Sequence, residues 1–241
     1  MPFREMSLDE VAEYLHLRPE DIQTLVKRNE IPCEKRGGRV VFRRHEVDAW
    51  ASQRILGLGS KPLKEYHDRT TAATRKLLPG EALMSCLVKP EYVFPSLKGK
   101  TRASILRELA SLADKTELVS DAHELLQSLE EREALCPTGL PGGLAVPHPR
   151  HHLPYLFQES FLLVARSAQD IPFGAPDGEP TRIFFLLACQ DERLHLHTLA
   201  RICLMAQKTQ LVARLLDAPD AESMYQQLME CEAEALQSKN D

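Results

Sequence analysis

A glycine- and proline-rich stretch that ends in a histidine, residues 132–150, holds the residue types of this chain best suited to chemistry. Glycine and proline break helices, and the apolar run Leu144–Val146 that follows them has the length of a short strand, which Pro147 ends. His148 is therefore expected at a strand end, where a rigid element presents a side chain to a loop. An imidazole there can act as a nucleophile or a proton carrier near neutral pH. A surface histidine after a turn would give the same local pattern.

A second segment, Leu-His-Leu-His-Thr-Leu-Ala-Arg at residues 194–201, begins an apolar-periodic helix. It places His195 downstream of His148, while Arg132 lies upstream of it in the first segment. Taken singly, each has a purely structural explanation. Arg132 would interact with the dipole at a helix C-terminus, and His195 would cap a helix.

Together the two segments resemble the enzyme IIA domain of the fructose, mannitol and nitrogen-regulatory branch of the bacterial phosphotransferase system. The matching pattern is Arg-Glu-x-x-x-x-Thr-Gly-x-x-x-Gly-x-Ala-x-Pro-His, followed by His-Leu-x-x-Leu. The resemblance covers residues 78–236, and it implies a mixed central sheet of five strands flanked by helices.

By this resemblance, His148 is the nucleophile that accepts a phosphoryl group, Arg132 steadies the phosphate, and His195 donates a hydrogen bond to its oxygens. Thr138 and Gly139 are the phosphate-supporting residues. The implied donor is the histidine-containing phosphocarrier protein or its nitrogen-branch counterpart. Phosphoryl transfer needs a neutral imidazole nitrogen in line with phosphorus and cationic groups around the oxygens, so no cofactor is expected.

Two features of the histidine loop bear on that interpretation. Pro149 stands where the family commonly has glycine, and it removes a backbone N–H that would otherwise face the phosphate. The rival chemistry is a metal site formed by His148, His151 and His152. No acidic or cysteine ligand completes that set at a useful spacing, so no metal is expected. His197 lies two residues off the motif and is expected to point elsewhere.

Residues 1–57 predict a small winged helix-turn-helix domain. Ser7-Leu-Asp-Glu10 is a capping box before a helix at 8–15, and Pro19 fits the start of a second helix that ends near Asn29. Gly37-Gly38 joins two extended runs within 31–42 into a hairpin. A third helix follows from Arg44 and ends at residues 57–60. The arrangement resembles the excisionase and MerR-like group.

In that group the second helix reads the major groove and the basic hairpin contacts phosphates. The candidate readers on the second helix are Gln23, Thr24, Lys27 and Arg28. The candidate phosphate contacts, in a stretch from 35 to 44 without an acid, are Lys35, Arg36, Arg39, Arg43 and Arg44. Glu20 and Asp21 open the second helix and oppose DNA phosphates. A protein-interaction use of the same fold, with a merely solvated hairpin, therefore stays open.

Residues 58–79 are predicted to be a linker that becomes mildly helical and could hold a short dimer-forming helix. Residues 80–237 alternate between helical and extended patterns, which indicates an α/β domain. Extended or mixed segments are expected at 84–88 and 92–94, strands at 161–165 and 183–188, and a turn at 175–178. Helices are expected at 100–113, 121–132, 196–205, 209–216 and 221–235.

The net charge of −5 is divided unequally along the chain. Residues 1–60 carry ten basic and ten acidic side chains, and residues 61–79 carry five and two. Residues 80–241 carry fifteen and twenty-three, a net of −8. Any DNA contact therefore falls to the N-terminal part.

The remaining composition suggests a cytoplasmic protein without a membrane partner. No apolar run approaches the ~20 residues that span a bilayer, and the N-terminus lacks the apolar segment of a signal peptide. Six cysteines without Cys-x-x-Cys spacing suggest neither a disulfide framework nor a zinc site.

We predict a regulatory phosphocarrier of the nitrogen-regulatory enzyme IIA type, phosphorylated on His148, coupled to a DNA-binding module and able to form a homodimer. The absence of a sugar-transporting IIB or IIC segment favours regulation over sugar uptake. The alternative is a DNA-binding transcriptional regulator whose IIA-like domain is a non-transferring sensor or scaffold.

Overall fold

The computed structural model describes residues 5–74, 82–151 and 153–237. The N-terminal module, residues 5–56, combines three helices with a three-stranded antiparallel sheet in the order β1-β3-β2. Its elements are β1 (Glu5–Met6), α1 (Leu8–Leu15), α2 (Pro19–Lys27), β2 (Glu34–Arg36), β3 (Arg39–Arg43) and α3 (Arg44–Leu56).

The local signals of this module act as the sequence predicts. Glu10 N–H donates to Ser7 Oγ at 3.3 Å, while the Ser7 N–H donates to the Glu10 carboxylate at 2.8 Å, which closes the capping box. Gly37 and Gly38 have φ of +54° and +80°, the left-handed conformation that a two-residue hairpin turn requires. The winged helix-turn-helix arrangement is confirmed.

After α4 (Ser60–Thr74), the C-terminal domain alternates helices and strands. Its elements are α5 (Met84–Leu87), β4 (Val93–Leu97), α6 (Arg102–Asp114), α7 (Ala122–Leu135), β5 (Gly139–Leu140), β6 (Leu144–Ala145), β7 (Phe161–Ile171), β8 (Thr181–Ala188), α8 (Glu192–Lys208), α9 (Leu211–Asp217) and α10 (Ala221–Gln237).

The central sheet of this domain is mixed and has the order β4-β7-β8-β6-β5. The pairs β4–β7 and β6–β8 are parallel, whereas β7–β8 and β5–β6 are antiparallel. The side chains of β8 are buried almost throughout, because helices cover both faces of the sheet. The predicted five-stranded mixed sheet flanked by helices is confirmed, although residues 84–87, expected to be extended or mixed, form the short helix α5.

The segment that we predict as a linker contains a helix of 15 residues, α4, that packs on α8. Leu63, His67 and Thr70 are buried, at 0%, 1% and 1% exposure, and their spacing puts them on one face. Two of the three are polar, so hydrophobic periodicity alone underestimates this face.

A buried polar cluster ties α4, α8 and α10 together. Arg201 donates from Nε to His67 Nε2 at 2.8 Å and pairs with Glu232 at 2.5 Å. The Glu232 carboxylate also accepts the backbone N–H of Leu83 at 2.9 Å. The His197 ring stacks on His67 with centroids 4.8 Å apart. The cluster thus fixes α4 against the C-terminal domain.

Two further observations concern the cysteines and the helix lengths of the described residues. All six cysteines lie within the described residues and are free thiols. Within the three described ranges, no helix combines the length and the apolar character needed to cross a bilayer.

Candidate functional site

His148 follows β6 at the end of the strand, where the sequence predicts it, but its side chain is only 2% exposed. Its Nδ1 lies 2.8 Å from the carbonyl oxygen of Val146. Because a carbonyl can only accept, Nδ1 carries the proton and Nε2 keeps the lone pair. The backbone therefore selects the tautomer that has its lone pair on Nε2.

Arg132, in the last turn of α7, supplies a cation next to that lone pair. Its Nε donates to His148 Nε2 at 3.1 Å, and its Nη1 donates to the Cys136 carbonyl at 2.8 Å. Its Nη2 is buried and has no hydrogen-bond partner among the described residues. Burial, and after it the positive charge of Arg132, holds the pKa of His148 well below its usual range. The imidazole is thus neutral at pH 7, with an unused N–H donor beside it.

His195 lies in the first turn of α8, which Asp191 caps through a 2.9 Å hydrogen bond from the Leu194 N–H. The rings of His195 and His148 have centroids 5.0 Å apart at 60°. A helix N-terminus carries a partial positive charge and favours anions. Arg132, His148 and His195, predicted as one group from the sequence, therefore meet in one place.

Thr138 and Gly139 lie behind His148, in the support of its loop. Both the N–H and the hydroxyl of Thr138 donate to the Glu133 carboxylate, at 3.0 and 2.7 Å. The Thr138 carbonyl accepts the Val146 N–H at 3.2 Å. A Cβ on Gly139 would lie 2.9 Å from the backbone nitrogen of Ala175, so only glycine fits there. These residues hold the strand pair β5–β6 that carries His148.

The histidine faces a small cavity of about 40 Å³ that lies between the two parts of the chain. The C-terminal domain lines it with Arg132, His148, Pro149, Arg150, His151, Cys189, Glu192, His195 and Leu196. The N-terminal module lines it with Tyr14, Asp48, Ala49 and Ser52. Sequence reasoning misses these four residues, because no local pattern in α1 or α3 refers to a loop about a hundred positions away.

Three other histidines, His151, His152 and His197, bear on the metal site that the sequence left as a rival. The His151 ring lies 6.0 Å from that of His45 in α3, and His152 falls outside the described residues. No cluster of three or more His, Cys, Asp or Glu suited to a metal occurs in the described part of the chain. His197 points away from the cavity lining, into the cluster with His67, as expected.

The candidate reading residues Gln23, Thr24 and Lys27 of α2, and Arg28 directly after it, are exposed. Asp21, an acid that opposes DNA, is paired with Arg18 at 2.9 Å, which offsets its charge and lowers its pKa.

Acidic side chains offset much of the positive charge that the sequence places on the hairpin. Arg36 pairs with Glu5 at 2.5 Å and with Glu34 at 2.6 Å, and Arg43 also pairs with Glu34. Arg44 pairs with Glu192 of α8. Among the described residues, no ion pair involves Lys35 or Arg39, so they are the strongest candidates for phosphate contacts.

Comparisons with known proteins identify both parts of the chain. Residues 86–231 match the family described as phosphoenolpyruvate-dependent sugar phosphotransferase system, EIIA 2, and residues 5–55 match a helix-turn-helix domain. A nitrogen regulatory protein of Bradyrhizobium diazoefficiens is 34% identical over 142 residues, which are 58% of this chain and 90% of that protein.

Two solved structures share the fold of the C-terminal domain. The nitrogen regulatory protein IIA-Ntr from Neisseria meningitidis aligns with a TM-score of 0.55 at 22% identity, over 61% of this chain and 99% of that one. Enzyme IIAMTL from Escherichia coli, in complex with phosphorylated enzyme IIBMTL, aligns with a TM-score of 0.52 at 19% identity. That alignment covers 61% of this chain and 96% of the other.

Proposed function

We propose, from the premise that this chain belongs to the EIIA 2 family of the phosphoenolpyruvate-dependent sugar phosphotransferase system, that it is a regulatory phosphocarrier of the nitrogen-regulatory type. The observation that carries the proposal is the neutral Nε2 of His148, held by the Val146 carbonyl and placed beside a buried guanidinium. Such a nitrogen can accept a phosphoryl group from a phosphohistidine on a carrier protein.

In the proposed transfer, the lone pair of His148 Nε2 forms the new N–P bond while the N–P bond to the donor histidine breaks. The electron pair of the broken bond stays on the donor nitrogen, and the donor, whose other ring nitrogen carries a proton, leaves as a neutral imidazole. His148 becomes a phosphoimidazolium, whose Nδ1 keeps its proton and donates a hydrogen bond to the Val146 carbonyl oxygen at 2.8 Å. No cofactor or external base is needed for this step.

Arg132 and His195 support the proposed transfer through charge. The unused Nη2 of Arg132 is a donor for a phosphoryl oxygen, and its Nε can leave Nε2 for a second oxygen once the bond forms. His195, at the positive end of α8, provides a further donor on the same side. Thr138 and Gly139 contribute by fixing the loop, since they support the strand pair that carries His148.

The experiment is to incubate the full chain with phosphoenolpyruvate and the upstream phosphocarriers. An acid-labile, base-stable phosphohistidine is expected in the wild type and absent from His148→Ala. His123→Ala is the matched control, because His123 is exposed on α7 and should keep the label. An unlabelled wild type would exclude transfer and leave the alternative, a non-transferring sensor or scaffold.

We infer DNA binding as the second activity, located in the N-terminal helix-turn-helix domain. Support comes from the exposed side chains of α2 and from Lys35 and Arg39 on the hairpin. A helix-turn-helix of this size commonly reads DNA as a dimer, so a homodimer is the expected DNA-binding form. The proposed phosphoryl donor is the histidine-containing phosphocarrier protein or its nitrogen-branch counterpart.

A further inference from the structure

The phosphoryl site is covered by the N-terminal module, chiefly by α3 packed along α8. Ser52 Oγ lies 3.3 Å from His195 Nε2, and Gln53 Nε2 lies 3.4 Å from Cys136 Sγ. At the start of α3, Arg44 forms an ion pair with Glu192. Three contacts spaced along one helix therefore join the module to the residues around His148.

This cover leaves too little room for a donor protein. Transfer requires the two reacting atoms to approach to about 3–3.5 Å in line. The cavity in front of His148 measures about 40 Å³, space for about three water molecules, and α3 forms one wall. A phosphohistidine on another protein can reach Nε2 only after α3 has moved away. The module occupies the surface on which the donor must dock.

The charges on α3 also oppose a phosphorylated histidine. Asp48 lines the same cavity as His148, and one of its carboxylate oxygens is buried without a hydrogen-bond partner among the described residues. A phosphoryl group on histidine adds about −1.5 to −2 charges, by analogy with other phosphorylated side chains. Like charges that share a small, poorly hydrated cavity repel strongly. The docked module therefore favours unmodified His148 over its phosphorylated form.

We propose that α3 of the helix-turn-helix module competes with the phosphoryl donor for the surface around His148, so that only one of them can be bound there at a time. A phosphoryl group on His148 then prevents the module from docking again. The proposal rests on the proposed phosphocarrier function. It makes the position of the DNA-binding module a direct readout of phosphorylation.

A reversible lock tests the competition. In Gln53→Cys, oxidation should join the new thiol to Cys136, whose sulfur the glutamine side chain already contacts. The oxidised full chain is expected to lose at least tenfold in initial labelling rate by phosphoenolpyruvate and the upstream phosphocarriers, and reduction should restore it. Gln53→Cys combined with Cys136→Ser is the control that cannot lock. Equal labelling of the oxidised and reduced protein would overturn the proposal.

A variant that weakens the contact between α3 and α8 should make His148 more accessible to the donor. Arg44→Glu places a carboxylate against Glu192 and is expected to raise the labelling rate about three- to tenfold, the scale of a lost part-buried ion pair. Arg54→Glu is the matched control, because Arg54 is on the same helix but packs over Trp50. An Arg44→Glu rate equal to that of the wild type would contradict the competition.

A third measurement separates the two proposals. Hydrogen exchange of α3 and of the first turns of α8 should accelerate on phosphorylation of the wild type and remain slow in the oxidised lock. If the wild type, the reduced lock and Arg44→Glu all stay unlabelled, the phosphocarrier function itself fails. Labelling with unchanged exchange in α3 overturns only the competition.

Discussion

At the scale of single residues, Arg132 is the side chain whose chemistry cannot be replaced by charge alone. Its guanidinium contacts His148 through Nε and Cys136 through Nη1, and it keeps Nη2 for a further acceptor. A lysine ammonium is a point charge and cannot hold these directions simultaneously. In the proposed transfer, Arg132 would therefore act through the directions of its N–H groups as well as through its charge.

We therefore expect Arg132→Lys to lower the rate of His148 phosphorylation by about a hundredfold, the loss that removal of one oriented donor produces. Initial labelling rates of the full chain measure this. Arg107→Lys, an exposed change on α6, is the control and should label like the wild type. A lysine variant as fast as the wild type would show that orientation is unimportant and that charge suffices.

At the scale of elements, the contact between α4 and α8 contains a histidine that is buried in its neutral form. Burial, and then the positive charge of Arg201, lowers the pKa of His197 to about 3. An unfolded histidine titrates near 6.5, so below that pH the unfolded state binds the proton first. The contribution of neutral His197 to the stability of the folded protein is therefore complete above about pH 6.5 and is lost progressively as the pH falls towards 3.

His197→Phe keeps an aromatic ring in the α4–α8 contact but removes the titration. Between pH 7.5 and pH 5.0, the wild type should lose about 2 kcal/mol of unfolding free energy more than this variant. Urea unfolding at the two pH values measures the difference. The variant also loses the 2.8 Å contact with Thr70, which lowers its stability at both pH values and so cancels from the comparison. Equal pH dependence in both proteins would contradict the assignment.

At the scale of the whole molecule, the net charge is divided unequally, since residues 80–241 carry a net charge of −8 whereas the basic and acidic side chains of residues 1–60 balance. The module therefore has to supply the phosphate contacts to DNA. Arg36 is already engaged with Glu5 and Glu34, whereas Lys35 and Arg39 have no ion pair among the described residues. Lys35 and Arg39 are therefore better placed than Arg36 to form an ion pair with a DNA phosphate.

Replacing both Lys35 and Arg39 by alanine should weaken binding to a mixed-sequence DNA duplex. The slope of log affinity against log salt concentration should become less steep by about 2, one for each lost phosphate contact. Arg36→Ala should change the affinity and the salt slope less than the double variant does, because Glu5 and Glu34 already offset the charge of Arg36. Fluorescence anisotropy of the full chain over a salt series measures the slopes. Salt-independent or absent binding in the wild type would instead assign the module to protein interaction.

Several features of this chain follow from the sequence because their causes are local. The capping box at Ser7 and Glu10 and the hairpin at Gly37-Gly38 depend on residues within a few positions of one another. The grouping of Arg132, His148 and His195 follows from motif residues whose spacing a known family shares. In each case the sequence is sufficient, since either a short-range hydrogen bond or a recognised pattern determines the outcome.

Other features depended on the tertiary structure. The helix α4 buries His67 and Thr70, two polar residues whose hydrogen-bond partners lie on α8. The buried face of α4 therefore shows no regular spacing of apolar residues in the sequence. The placement of α3 over His148 joins Ser52 to His195 and Arg44 to Glu192, residues more than 140 positions apart. The sequence by itself predicted the proposed nucleophile and its neighbouring cation, and it determined the two folds that carry them. The tertiary structure alone decided that one domain covers the site of the other, because that packing depends on complementary surfaces with no local signature.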